Sequence, residues 1–159
     1  GGDIGKHFCG DLDNNLVAKA KGSAMAKSFE AQGLTATLVH DRAAIEQAIN
    51  LGFPVFFKST VDFLDWRPAI WTTPEGIEYR VVFSNDHALA VIGYNDQDVV
   101  IRDPLGPTST NEMRPFQYRV TWERFLEVFA AQENDGLAIS PGGMGLSTGS
   151  SDGTGGARY

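Results

Sequence analysis

The sequence predicts an α+β domain in which N-terminal helices pack on an antiparallel sheet. Three observations carry that expectation. Helical patterning comes early, in the Ala- and Lys-rich stretch DNNLVAKAKGSAMAKSFEAQG from Asp13 to Gly33. Two apolar runs then follow each other across the turn-like NDQD: HALAVIGY from His87 and DVVIRDP from Asp98. An amphipathic helix, TWERFLEVFAAQ, comes late. Helices followed by runs of strand, rather than strict alternation of the two, is the order of an α+β chain.

Taken in order, the early stretch has Leu16, Val17, Met25 and Phe29 as apolar anchors, Asp13 or Asn14 to cap its start and Gly33 to end it, with Gly22 dividing it into two pieces. LTATLV, from Leu34, reads as a strand. DRAAIEQAINLG reads as a helix: Asp41 is its N-cap, Ala44, Ile45, Ala48 and Ile49 share a face, and Gly52 stops it. PVFFKS is a further strand with Pro54 at its tolerated first position. Residues 60–77 read as a long connection carrying Trp66 and Trp71, which fit a groove rim and core caps equally. EYRVVFS leads into the hairpin, YRVT follows it, and the late helix takes Thr121 as N-cap with Trp122, Phe125, Leu126 and Phe129 inward. GLAI closes the fold.

Length and composition set limits. At 159 residues the chain is one domain, spanning 1–139, followed by a flexible tail over 140–159 with seven glycines in twenty residues. No apolar run reaches the about eighteen residues a membrane-spanning helix needs. A net charge of −7 argues against nucleic acid, whose phosphates want clustered Lys and Arg. No secretory signal pattern stands at the start, which leaves the compartment open between the cytoplasm and secretion without a visible signal peptide. Cys9 is the sole cysteine, so no internal disulfide can form. The three histidines, His7, His40 and His87, lack ligand spacing. Neither a metal nor a cofactor is expected.

The chemistry-bearing feature is the hairpin. If its strands pair, His87 at the start of one and Asp103 at the end of the other meet at the same end of the sheet, an imidazole within reach of a carboxylate. Asp86 could tune the histidine or face solvent, and Asn85 or Asn95 could serve as a polar partner.

The segments GFPVFFKS, DHALAVIGYNDQDVVIRDPLG, VTWERFLEVF and GLAI together resemble the papain-like cysteine peptidases, in particular the family that processes bacteriocin leaders at double glycines. The resemblance covers roughly residues 33–139. It implies a papain-like fold, a peptide or protein substrate, a cysteine nucleophile, His87 as base and Asp103 as the group that orients the imidazole. A thiol attacks as thiolate, so it needs a base beside it, and the base needs its other nitrogen anchored. Cys9 is the candidate nucleophile. It is followed by Gly10, but without the Pro that follows in the family pattern or the Gln that precedes, and Asp11 and Asp13 stand close by. Either the first helix is compressed here, or the nucleophile helix belongs upstream of residue 1, or the protein has no nucleophile. Three functions follow: a cysteine peptidase using Cys9, His87 and Asp103; a non-catalytic domain of the same fold that binds a peptide or protein; or an amidase or deamidase effector on that fold.

Overall fold

The computed structural model describes residues 22–72, 76, 78–83, 85–107, 112–144 and 146, with 68–72 and 78–83 described by their backbone alone. Helix α1 spans Gly22–Glu30 and strand β1 Leu34–Val39; α2 spans Arg42–Asn50 and β2 Val55–Thr60. After a 3-10 turn at Val61–Phe63 come β3 (Pro68–Thr72), β4 (Glu78–Phe83), β5 (Asp86–Tyr94), β6 (Asp98–Arg102) and β7 (Gln117–Thr121), then α3 (Trp122–Ala130) and β8 (Gly136–Pro141). Six strands form one antiparallel sheet in the order β1-β8-β2-β5-β6-β7, and β3 pairs with β4 in a separate ribbon. The α+β class and the helices-on-antiparallel-sheet arrangement hold.

Local chemistry accounts for the boundaries. Asp41 accepts the Ala44 N–H at 2.8 Å and starts α2, and Thr121 accepts from Arg124 N–H and starts α3. The β5–β6 turn is fixed by Asn95, whose side-chain oxygen accepts from the Gln97 and Asp98 N–H groups at 2.8 and 2.7 Å. Trp122 ties that turn to α3, donating from its ring nitrogen to the Asn95 carbonyl at 2.8 Å.

Two expectations change. The connection over 60–77 holds β3, because a backbone ladder with β4 forms where the sequence, broken by Pro68 and Pro74, gives no alternating pattern. The final strand runs on through Ser140 to Pro141, where it pairs with Thr35 and Leu34. Of the 140–159 segment, residues beyond 146 lie outside the described ones, as does the N-terminal stretch before Gly22.

One sheet face carries the core. Val55 and Phe57 on β2 stand opposite Val91 and Leu89 on β5, and Val99 and Ile101 continue the layer on β6. Ile45 and Ala48 of α2 and Trp122, Phe125 and Phe129 of α3 cover it. Phe57 lies at its centre, with ring centroids 4.9 Å from Phe125, 6.1 Å from Phe63 and 6.3 Å from Phe129. Because strand side chains alternate, the next residues along these same rows are Ser59 on β2, His87 on β5 and Asp103 just past β6. The apolar layer therefore ends, at one edge, in polar groups.

Candidate active site

That edge is where the hairpin delivers its two ends. Ser59 faces His87 in the β2–β5 register, and its hydroxyl is buried, donating to the Thr60 carbonyl. His87 Nε2 lies 2.8 Å from Asp103 Oδ1. The expected meeting of imidazole and carboxylate takes place, sixteen residues apart in sequence.

Asp103 is fully buried, and four donors meet its carboxylate. Oδ1 takes His87 and the Leu105 N–H, at 2.8 and 2.9 Å. Oδ2 takes the Arg114 guanidinium and the Tyr118 hydroxyl, the latter at 2.9 Å. Burial alone would raise its pKa; the hydrogen bonds from His87, Arg114, Leu105 and Tyr118 outweigh burial and bring it down to about 2. The same environment pushes the Tyr118 hydroxyl up, through burial first and then its bond to the carboxylate, so it remains a donor. An ionised carboxylate has no proton to give, so the Nε2 position of a neutral His87 carries the hydrogen. The lone pair then lies on Nδ1, which bonds to none of the described residues. His87 keeps 14% of its side chain exposed, enough to be approached.

Gly106, with φ at +57°, turns the chain after Asp103. The Phe116 ring packs where a Cβ would stand, so an added methyl would force the ring away. Beside this turn, on the sheet face opposite His87, a cleft of about 520 Å3 opens among Phe56, Ala88, Ala90, Arg102, Pro104 and Phe116.

The other candidates separate cleanly. Cys9 lies outside the described residues. Asp86 points to the opposite sheet face from His87, as strand alternation requires, and pairs with Lys58 at 2.8 Å with 15% of its side chain exposed; it neither tunes the histidine nor stands in solvent. Asn85 clamps a loop, accepting from Arg67 N–H and donating to the Asp65 carbonyl. Asn95 is the turn residue already met. Trp66 packs against the core, while the side chain of Trp71 lies outside the described ones. Arg114, Tyr118 and Asp62, whose carboxylate is 2.6 Å from Arg114, were not legible as site residues. Tyr118 carries a signal in retrospect, since YRVT places it in register with Ile101, on the same sheet face as Asp103. Arg114 sits in a connection without periodicity. Among the described residues no group of three or more His, Cys, Asp or Glu is placed to hold a metal ion, and no helix is long and apolar enough to cross a membrane.

The arrangement, a strand-borne histidine anchored by a buried acid on a papain-like sheet, has relatives. The chain belongs to the Peptidase_C39-like family, whose model matches residues 2–136, a span that includes Cys9, His87 and Asp103. YvpB of Bacillus subtilis (strain 168), an uncharacterized protein, is 28% identical over 109 residues, which is 66% of this chain and 43% of YvpB. A crystal structure from Bacillus anthracis, provisionally named a C39-like peptidase, shares the fold with a TM-score of 0.56 at 17% identity, over 76% of this chain and 59% of the other. The chain spans roughly half the length of these relatives.

Proposed function

We propose that this chain is a papain-like cysteine peptidase that hydrolyses peptide amide bonds, with Cys9 as nucleophile, His87 as base and Asp103 as the group that orients it. The observation that carries this reading is the 2.8 Å bond from His87 Nε2 to a buried, ionised and fully bonded Asp103, which leaves Nδ1 as the basic nitrogen.

In the sequence of steps, Nδ1 takes the Cys9 thiol proton and the thiolate sulfur attacks the scissile carbonyl carbon. The C–N bond breaks as the imidazolium returns its proton to the leaving amine, and a thioester remains. Water, deprotonated by the same nitrogen, attacks the thioester, and the carboxylic acid product leaves as the thiol recovers its proton. Asp103 stays ionised throughout: its task is to hold the ring and stabilise the imidazolium, not to accept a proton.

A second reading rests on Cys9 itself. Asp11 and Asp13 stand beside it, and carboxylates raise a thiol pKa, while the Gln and Pro of the family pattern are missing. On that reading the fold binds a peptide or protein without cutting it, or serves an amidase or deamidase effector. Incubating the chain with a peptide library and reading fragments by mass spectrometry separates these. Cleavage that disappears in both Cys9→Ala and His87→Ala supports the peptidase. Peptides retained but uncut support the binding domain, and side-chain amide loss without backbone cleavage supports the deamidase.

A further inference from the structure

We infer that Arg114 is a positioning residue for the His87–Asp103 pair: by occupying one carboxylate oxygen from a clamped position, it leaves the other to face the imidazole. This rests on reading that pair as the site's base and orienting acid. The last torsion of a carboxylate is broad, so one oxygen stays aimed at the ring only where partners hold that torsion. Here the division is complete. Oδ2 is taken by Arg114 and the Tyr118 hydroxyl, and Oδ1 by the Leu105 N–H and His87.

Arg114 is itself held. Only 3% of it is exposed, and its Nη1 is 2.6 Å from Asp62 Oδ1. Asp62 and Phe63 both adopt left-handed backbone, with φ at 57° and 52°, a conformation that non-glycine residues keep only where their surroundings enforce it. The surroundings do enforce it. The Thr60 hydroxyl donates to the Leu64 carbonyl at 2.6 Å, and Arg124 Nε donates to the Phe63 carbonyl at 2.8 Å. Val61 N–H donates to the Asn85 carbonyl at 3.0 Å. A strained turn is thus pinned where its carboxylate meets a buried guanidinium, which in turn meets the orienting acid.

Stability alone gives little reason for this. Buried ion pairs are often no more stabilising than well-packed apolar residues, and Arg114 Nε is buried without a partner among the described residues. The titratable groups facing Asp103 are His87 from β5, Tyr118 from β7 and Arg114 from the β6–β7 connection, with Asp62 behind Arg114.

The test reads the imidazole rather than turnover. In the full chain labelled with nitrogen-15, the ring shifts of His87, assigned by His87→Ala, report which nitrogen carries the proton at about pH 8, where an ordinary imidazole is neutral. The parent is expected to show the Nε2–H form. Arg114→Met frees the Asp103 carboxylate to turn away from the ring, and is expected to shift the tautomer ratio at least severalfold toward the mixed forms of an unheld imidazole, with more Nδ1–H. Arg114→Lys, a point charge without the two-edged fork, is expected to fall between them. A folded Arg114→Met with the parental ratio would overturn the assignment. Should Arg114→Met not fold, Arg114→Lys and Asp62→Asn decide. Asn tolerates the left-handed turn. Both are expected to shift the ratio severalfold in the same direction, and both at the parental value would overturn it. Iodoacetamide reactivity of Cys9, measured alongside, keeps the two claims apart. A tautomer shift with unchanged Cys9 reactivity leaves Arg114 in its role and counts against Cys9 as nucleophile.

Discussion

At Asp103 the arrangement of donors decides what a substitution does. An amide in its place would turn its oxygen toward the Arg114 guanidinium, which can only donate, and present its NH2 to His87 and to the Leu105 N–H. His87 would then accept at Nε2 and carry its proton on Nδ1, the wrong nitrogen for taking one from a thiol. Asp103→Asn is therefore expected to lower peptide cleavage by roughly 10³–10⁴-fold while the chain stays folded, on the scale seen when an orienting carboxylate becomes an amide. Cleavage near the parental rate would remove Asp103 from the site. The depressed pKa also sets an acid signature. A carboxyl at about 2 in the folded chain and near 3.9 unfolded adds stability that is complete above about pH 5 and is lost as pH falls toward 2. The gap in urea-unfolding free energy between parent and Asp103→Asn should thus be constant above about pH 5 and shrink below about pH 4. At this scale the sequence showed the pair, since two apolar runs of matched length across a tight turn fix which ends meet. It did not show the residues that lock the pair. Arg114 and Asp62 come together from segments 52 positions apart in number, and no local pattern encodes such a meeting.

Elements were legible where periodicity was strong. The helix caps at Asp41 and Thr121 and the Asn95 turn stand where their side-chain chemistry placed them. Strand β3 was not, because Pro68 opens it and its stability comes from a partner strand rather than from its own pattern. Asp86 shows how alternation decides a residue's role: one step along β5 from His87, it belongs to the other face and to Lys58. The element that supports the site most directly is β2, whose Phe57 is fully buried between β5 and α3 and one step along the same row from Ser59. Phe57→Ala is expected to cost about 3–5 kcal/mol, as aromatic truncations in closed cores do. Equilibrium denaturation measures it, and a loss under about 1 kcal/mol would mean that this layer is not closed as described.

For the whole molecule, the α+β sheet, the family and the histidine–acid edge agree with one another; the sheet was legible in the order of elements along the chain, the family in four segments over roughly 33–139, and the pair in the segment from His87 to Asp103. The nucleophile stands apart, because the N-terminal stretch before Gly22 lies outside the described residues and its sequence departs from the family pattern around Cys9. The most direct measurement is therefore the rate of Cys9 alkylation by iodoacetamide against pH, in the parent and in His87→Ala. If Cys9 is the nucleophile held by His87, the parent rate stays high well below the ordinary thiol pKa of about 8.5, and that advantage collapses in the variant. An ordinary thiol titration, the same in both, would contradict the peptidase assignment and leave the binding domain in its place.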